Sequence, residues 1–200
     1  HYKNGRFGDA EKLALEITQN FPKHQSAWTV LGAVLRATGR KSEALDTNQT
    51  AVELFPQDAT AHSNLGISFK ELGRLEEAEA SYRQAILLKP NLAGVHYNLG
   101  VTLQELDRLD EAEASFRQAI TLKPDYAEAH GNLGITLQLG RLDEAEASFR
   151  QAIALKPDYA EAHSNLSVTL QELGRLDEAE ASVRQAIALK PDYAEAHSNL

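Results

Sequence analysis

Two kinds of polar side chain recur along this sequence at a fixed spacing, and their chemistry is the first clue to its function. Histidine is a common metal ligand. Histidine recurs at five equivalent positions, and two residues after each of them stands an asparagine. Its carboxamide offers both donors and an acceptor of hydrogen bonds. The histidines are His62, His96, His130, His163 and His197. The asparagines are Asn64, Asn98, Asn132, Asn165 and Asn199.

The spacing of the histidines argues against a metal site. Equivalent histidines stand 33 or 34 residues apart, so each belongs to a different structural repeat. Packed neighbouring helices already lie about 8–10 Å apart, whereas zinc ligands meet within about 2.1 Å of one ion. We therefore expect the histidines to have a packing role, and we expect no metal site and no cofactor.

The sequence also lacks the patterns of a catalytic site. Catalysis brings different residues together in one pocket, whereas here the same residues are repeated. There is no glycine-rich phosphate loop and no nucleophile elbow. Cysteine is absent, which excludes disulfides, thiolate metal sites and cysteine nucleophiles. We predict no catalytic residues and a protein that is not an enzyme.

An internal repeat of 34 residues positions these side chains, and this length is typical of a helix–turn–helix unit. We predict one domain, residues 1–200, in which each repeat buries its apolar stripes only against its neighbours. The full repeats are residues 25–58, 59–92, 93–126, 127–159 and 160–193. Residues 1–24 form a partial repeat that retains the second helix, and residues 194–200 begin a truncated one.

The first helix of the 59–92 repeat is predicted from an apolar stripe, in which Ala61, Leu65 and Phe69 recur at helical spacing. A glycine inside a helix costs about 1 kcal/mol relative to alanine. We therefore expect Gly66 to allow the close approach of a neighbouring helix. Gly73 is expected to end the helix, because glycine accepts the left-handed conformation that follows many helices.

The second helix begins with a glutamate-rich turn, which suits the positive end of the helix dipole. Glu79 and Arg83 stand four residues apart in the order that stabilises a helix, and the same pair recurs in later repeats. Pro90 ends the helix, since it has no amide hydrogen. The apolar stripe of this helix is predicted to contain Leu75, Ala78, Tyr82, Ala85, Ile86 and Leu88.

Several copies depart from this pattern. Asn48 replaces an aromatic residue and should weaken the core of the 25–58 repeat, and Asp107 replaces the turn glycine. The 127–159 repeat lacks one residue, which predicts a shortened helix or an altered turn within residues 138–140. The Asp of the Pro-Asp-Tyr segments, such as Asp158, is predicted to cap the following helix. Tyr159 is expected to pack at the junction between repeats.

The pattern of one repeat resembles the tetratricopeptide repeat, with histidine in place of the usual tryptophan. The matching residues are His62, Leu65, Gly66, Phe69, Ala78, Tyr82, Ala85 and Pro90. The 25–58 copy keeps the aromatic residue as Trp28. The resemblance covers the whole chain and implies an all-α fold, a right-handed α-solenoid or superhelix. It also implies that the first helices line a concave groove that binds peptides or protein segments.

The recurring asparagines resemble the asparagine ladder in the superhelical repeat domain of O-linked N-acetylglucosamine transferases. The Asn-Leu-Gly segments match at Asn64, Asn98 and Asn132, whereas Ser167 interrupts the later copy. Such a ladder would hydrogen-bond the backbone of an extended peptide; the alternative is that the asparagines bond to neighbouring helices and support the stack. The predicted groove residues are Asn64, Asn98, Asn132, Asn165, Ile67, Val101, Ile135, Val168, Gln104, Gln138, Gln171 and Tyr97.

Charge and composition limit the class of partner. The formal net charge of −9 argues against nucleic acid, which needs a basic face, and against an anionic membrane surface. No apolar run is as long as a transmembrane helix, and no signal peptide is visible, so we favour a cytoplasmic location. The chain has no initiating Met and begins and ends within helices, which predicts a piece of a longer polypeptide.

These observations predict a non-catalytic scaffold that binds a peptide or protein segment in the groove. Two alternatives remain open at this point. The chain could be the substrate-recruiting arm of a larger enzyme, such as a glycosyltransferase. It could instead be a module that self-assembles by stacking its exposed repeat ends, in which case it would form a homo-oligomer.

Overall fold

The computed structural model describes residues 6–199. These residues form twelve α-helices and no β-strand, so the predicted all-α class is confirmed. Parts of the predicted terminal partial repeats fall on residues 1–5 and 200, which lie outside the described residues. The helices are α1 (Phe7–Asn20), α2 (Gln25–Ala37), α3 (Lys41–Leu54), α4 (Ala59–Glu71), α5 (Leu75–Leu88), α6 (Ala93–Glu105), α7 (Leu109–Leu122), α8 (Ala127–Leu137), α9 (Leu142–Leu155), α10 (Ala160–Glu172), α11 (Leu176–Leu189) and α12 (Ala194–Ser198).

The helices alternate between two kinds, and the chain divides into two compact units. The even-numbered helices, α2 to α12, are the first helices of the repeats, and the odd-numbered helices are the second helices. Unit 1 comprises His1–Leu106 and unit 2 comprises Asp107–Leu200. Within the described residues, no helix is long and apolar enough to cross a membrane.

In each unit, part of the core is formed where an aromatic ring of a second helix packs against a glycine of a first helix. In unit 1 the side chain of Tyr82 is fully buried, and a Cβ added at Gly66 would lie 2.6 Å from its ring. In unit 2, a Cβ added at Gly134 would lie 2.7 Å from the ring of Phe149. The predicted packing role of Gly66 is therefore confirmed, because the ring occupies the space of the absent side chain.

The hydroxyl of Tyr82 is an exception in this core. It is buried and has no hydrogen-bond partner among the described residues. Burial raises the pKa of this phenol well above its ordinary value, because the charged form would lose its hydration. The ring is positioned by packing alone, and the hydroxyl contributes only a desolvation cost.

We therefore expect Tyr82→Phe to stabilise the protein. Removing an unpaired buried hydroxyl should raise the free energy of unfolding by about 1 kcal/mol. Phe149 shows that phenylalanine suits this position in another repeat. Urea denaturation of the two proteins measures the difference, and Tyr97→Phe on a first helix is the control. A loss of stability in Tyr82→Phe would contradict this reading of the core.

The turns inside the repeats use the left-handed conformation, as the sequence predicts. Gly73 has φ of 74°, and Asp107, which replaces the turn glycine, has φ of 58°. At the end of α4, the amide of Arg74 donates to the carbonyl of Phe69 over 3.0 Å. This is the long-range bond of a Schellman cap, which satisfies a carbonyl that the helix leaves open.

The repeat that lacks one residue has a different turn. Its first helix α8 has 11 residues, whereas α10 has 13. The amide of Arg141 bonds to the carbonyl of Leu137, and Gly140 has φ of 140°. Leu139 is left 83% exposed. The shortened helix and altered turn predicted for residues 138–140 are confirmed.

The predicted helix caps are wrong in three repeats. The residues that cap α8, α10 and α12 are Tyr126, Tyr159 and Tyr193, and none makes a side-chain cap hydrogen bond. Asp158 precedes the capping position by one residue. Asp58, by contrast, stands at that position, and its carboxylate accepts from the amides of Thr60 and Ala61 over 3.0 and 3.1 Å. The carboxylate caps a helix only from the residue that directly precedes it.

Candidate binding face

The histidine ladder is structural. In each later repeat the imidazole Nε2 lies 2.7–3.1 Å from the carbonyl oxygen of the proline six residues earlier. Trp28 makes the same bond from its indole nitrogen to the carbonyl of Pro22, at 2.8 Å. A carbonyl can only accept, so Nε2 carries the hydrogen. Histidine thus replaces tryptophan as the donor that ties the first helix to the preceding proline turn.

The asparagines of unit 1 have partly exposed side chains. Asn64 and Asn98 are half-buried on α4 and α6. Their carboxamides make no hydrogen bond to any described residue, although the backbone carbonyl of Asn64 accepts from Nδ2 of Asn48 over 3.3 Å. Both carboxamides therefore keep their donors and acceptor for solvent or a ligand.

The asparagines of unit 2 differ among themselves. Asn165 on α10 is half-buried, and its carboxamide makes no hydrogen bond to the described residues. Asn132 donates from Nδ2 to the carbonyl of Glu128 over 3.0 Å. Asn199 donates to Oγ of Ser164 over 3.2 Å. Some asparagines of the ladder therefore bond within the chain, whereas Asn165 keeps a carboxamide that a ligand can reach.

The glutamines predicted to line the groove connect adjacent first helices. Gln138 donates from Nε2 to the carbonyl of Asn165 over 3.2 Å and to Oγ1 of Thr169 over 3.0 Å. Gln171 donates to the carbonyl of Asn199 over 2.8 Å. Tyr97 and Gln104 also interact with other residues of the chain. In unit 2 the helices α8, α10 and α12 are therefore joined by amide donors at their carboxyl ends.

Apolar side chains lie beside the asparagines. Ile67, Val101 and Val168 are half-buried, and Ile135 is 40% exposed. Each stands three residues after an asparagine, so the two side chains share one face of the helix. We call the surface formed by these asparagines and apolar residues the first-helix face of its unit.

Tyrosine, lysine and glutamate meet at the start of the first helices in unit 2. Nζ of Lys156 lies 4.9 Å from the ring centre of Tyr159 and 3.3 Å from Oε1 of Glu128. Lys190 repeats the arrangement with Tyr193 at 4.5 Å and with Glu161 at 3.2 Å. The repeated tyrosines are visible in the sequence, but their cluster with lysine and glutamate was not predicted; its signal is the repeated Lys-Pro-Asp-Tyr-Ala-Glu segment.

The second helices carry a different chemistry, a network of arginine and glutamate. In unit 2, Glu146 accepts from Arg150 of its own helix at 2.7 Å. It also accepts from Arg175, which directly precedes α11, at 2.6 Å. The hydrogen bond from Arg175 also lowers the pKa of Glu178. The predicted pairing of glutamate with arginine four residues later is confirmed here and between Glu79 and Arg83.

Comparisons with known families identify the repeat. Models of the tetratricopeptide repeat match residues 1–59, 91–158 and 136–200, and a TPR repeat model matches residues 68–107. No match was found among curated proteins.

Solved structures support the same fold. YrrB, a TPR protein with an unusual peptide-binding site, has a TM-score of 0.75 at 23% identity, covering 92% of this chain and 96% of its own. PilW, a type IV pilus biogenesis factor, has a TM-score of 0.87 at 20% identity, and the match covers 98% of this chain and 92% of PilW. A thermophilic TPR protein of Thermus thermophilus has a TM-score of 0.68 at 29% identity, covering 87% and 95%.

Proposed function

Since the chain is built from tetratricopeptide repeats, we propose that it is a non-catalytic binding module for an extended segment of a partner protein. The segment lies on the first-helix face of one unit and hydrogen-bonds to the unpaired asparagines of that unit. One observation carries the proposal. The half-buried carboxamides of Asn64, Asn98 and Asn165 make no hydrogen bond to the described residues.

The geometry of an extended chain suits such a face. A peptide in this conformation presents backbone donors and acceptors on each side about every two residues, or roughly 7 Å. Packed helices are about 8–10 Å apart, so the carboxamides of Asn64 and Asn98, on successive first helices of unit 1, can each meet a backbone group. A carboxamide both donates and accepts, as the peptide backbone does. Recognition of this kind reads the backbone and tolerates many side chains.

Two further features support binding of a protein segment. Ile135 and Val168 provide shallow apolar contacts beside the asparagines of unit 2. The net charge of −9 disfavours nucleic acid as the partner. The proposal extends to this chain the resemblance between its Asn-Leu-Gly segments and the ladder of O-linked N-acetylglucosamine transferases, and such a ladder would serve a substrate-recruiting arm equally well. We therefore design the test on binding alone.

The test compares the protein with a triple variant, Asn64→Ala, Asn98→Ala and Asn165→Ala. Both are screened against a random peptide library, and affinities of the selected peptides are measured by fluorescence anisotropy. The net value of a hydrogen bond is about 0.5–1.5 kcal/mol. We therefore expect the variant to bind about tenfold more weakly.

The control removes amide side chains from the second helices instead. Asn20→Ala, Gln118→Ala and Gln151→Ala all change exposed residues, and this variant should bind as the unchanged protein does. Circular dichroism establishes that both variants are folded. Equal binding by the two triple variants would contradict a role for the ladder, and a protein that selects no peptide would contradict the proposed function.

A further inference from the structure

The two units carry the same asparagines on differently charged first helices. In unit 1 the formal charges of α2, α4 and α6 cancel, because Arg36 and Lys70 are matched by Glu71 and Glu105. These four residues also pair with one another, Arg36 with Glu71 at 3.1 Å and Lys70 with Glu105 at 2.8 Å. In unit 2 the helices α8, α10 and α12 contain no lysine or arginine. Their acidic residues are Glu128, Glu161, Glu172 and Glu195.

These glutamates share the first-helix face with the asparagines. Glu128 precedes Asn132 by four residues, and Glu161 stands in the same relation to Asn165. Residues four apart on a helix are neighbours on its surface. The corresponding position of α4 holds Thr60. Unit 1 therefore has the amides without the adjacent carboxylates, whereas unit 2 has both.

The lysines that face these carboxylates hold them loosely. The Lys156–Glu128 and Lys190–Glu161 distances are 3.3 and 3.2 Å, and all four side chains are 43–51% exposed. Exposed pairs of this kind contribute little to stability, since water competes for both partners. A cation on a bound segment can therefore approach the carboxylates while the lysines remain over the tyrosine rings, 4.9 and 4.5 Å from their centres.

We propose that the first-helix face of unit 2 selects an extended partner segment that carries lysine or arginine side chains. The inference rests on the proposed function and adds the chemistry of the partner. The carboxamide of Asn165 holds the backbone of the segment, and Glu128 and Glu161 receive its cationic side chains. Complementary charge favours this class of segment and repels acidic ones. The net charge of −9 acts in the same direction during encounter.

Three peptide probes test this inference on the full chain. Each is a peptide of about 12 residues with capped ends and no charged residue outside the four test positions, and it spans roughly 40 Å when extended. The three differ only at four positions, which hold lysine in one probe, glutamine in the second and glutamate in the third. Fluorescence anisotropy at low ionic strength gives the affinities. We expect the lysine probe to bind about tenfold more tightly than the glutamine probe, and the glutamate probe to bind most weakly.

A matched variant assigns the selectivity to unit 2. The double variant Glu128→Thr, Glu161→Thr places at both positions the threonine that α4 has at position 60. Its affinity for the lysine probe should fall to its affinity for the glutamine probe. Glu53→Gln with Glu180→Gln removes the same number of charges from exposed positions on second helices and should leave the preference intact. Salt at about 0.3 M should reduce the difference in affinity between the lysine and glutamine probes, because it screens exposed charges.

The outcomes separate the inference from the proposed function. Equal affinity of the lysine and glutamine probes for the unchanged protein overturns the inference and leaves the proposed function standing. Equal loss of preference in both double variants also overturns it, since net charge alone would then explain the effect. A protein that binds none of the probes and selects no library peptide overturns both.

Discussion

Gly134→Ser is expected to be among the most destabilising single changes in this protein, and Phe149→Val is expected to rescue it. A Cβ at position 134 would lie 2.7, 2.8 and 2.8 Å from three atoms of the Phe149 ring. The ring is fully buried and cannot move away without disturbing the core. Overpacking of this kind costs about 1–3 kcal/mol, and we place this change at the upper end.

The next repeat provides the reason for the rescue. There the equivalent residues are Ser167 and Val183, both buried, so the larger first-helix residue accompanies the smaller second-helix residue. The hydroxyl of Ser167 donates to the carbonyl of Ser164 over 2.7 Å, which satisfies it inside the core. The double variant copies a combination that this chain already contains.

Urea denaturation of the single and double variants measures the coupling as a double-mutant cycle. Phe149→Val alone should lose about 1–3 kcal/mol, because it leaves a cavity beside the glycine. The double variant should be more stable than either single variant. Gly94→Ser is the control, since a Cβ there meets nothing within 4 Å, and it should not destabilise. Simple additivity of the two changes would contradict the proposed complementarity.

Asn48→Leu is expected to cost about 2–3 kcal/mol, because it leaves a buried hydroxyl unpaired and removes a further hydrogen bond. Asn48 is 1% exposed, and its Nδ2 donates to Oγ of Ser68 over 2.8 Å and to the carbonyl of Asn64 over 3.3 Å. Leucine has a similar shape but no donor. In the Asn48→Leu variant, the hydroxyl of Ser68, which is also 1% exposed, loses its bond to the side chain at position 48.

The second substitution that tests this reading is Ser68→Ala in the Asn48→Leu background. It removes the unpaired hydroxyl, so the free energy of unfolding should recover most of the loss. Replacing both partners of a buried hydrogen bond by apolar groups is often nearly neutral. Chemical denaturation again provides the measurement. A double variant less stable than Asn48→Leu would show that the hydroxyl contributes through another contact.

Asn48 also shows what a local pattern leaves out. In the sequence it replaces an aromatic residue and predicts a weaker core. In the structure its side chain fills the space beside Gly32, and its donor meets Ser68 of the next repeat. The later repeats have threonine at the position of Ser68, such as Thr136. The compensating residue stands 20 positions away, so the pattern of a single repeat does not reveal it.

The candidate binding face was predictable in position but not in detail. The helical spacing placed Asn132, Asn165, Ile135 and Val168 on first helices, and the structure finds them partly exposed there. The spacing did not distinguish Asn165, whose carboxamide has no partner among the described residues, from Asn132, which donates to its own helix.

The sequence by itself determined the elements of this protein. The repeat length, the apolar spacing, the turn glycines and the prolines set where helices start and stop, because these preferences act between residues close in the chain. Even the one missing residue predicted the short α8, since a helix cannot lose a residue without rotating its apolar stripe.

Only the tertiary structure decided which polar atoms have partners. Gln138 bonds to a neighbouring first helix, His130 bonds to a proline carbonyl, and Asp158 misses the cap by one residue. The Gln138 bonds depend on atom positions to within about half an ångström across helices, because a hydrogen bond weakens steeply with distance and angle. The outcomes for His130 and Asp158 depend on the residue at which the next helix begins. A sequence pattern specifies which side of a helix a residue occupies, and the packed neighbour decides what its side chain can bind.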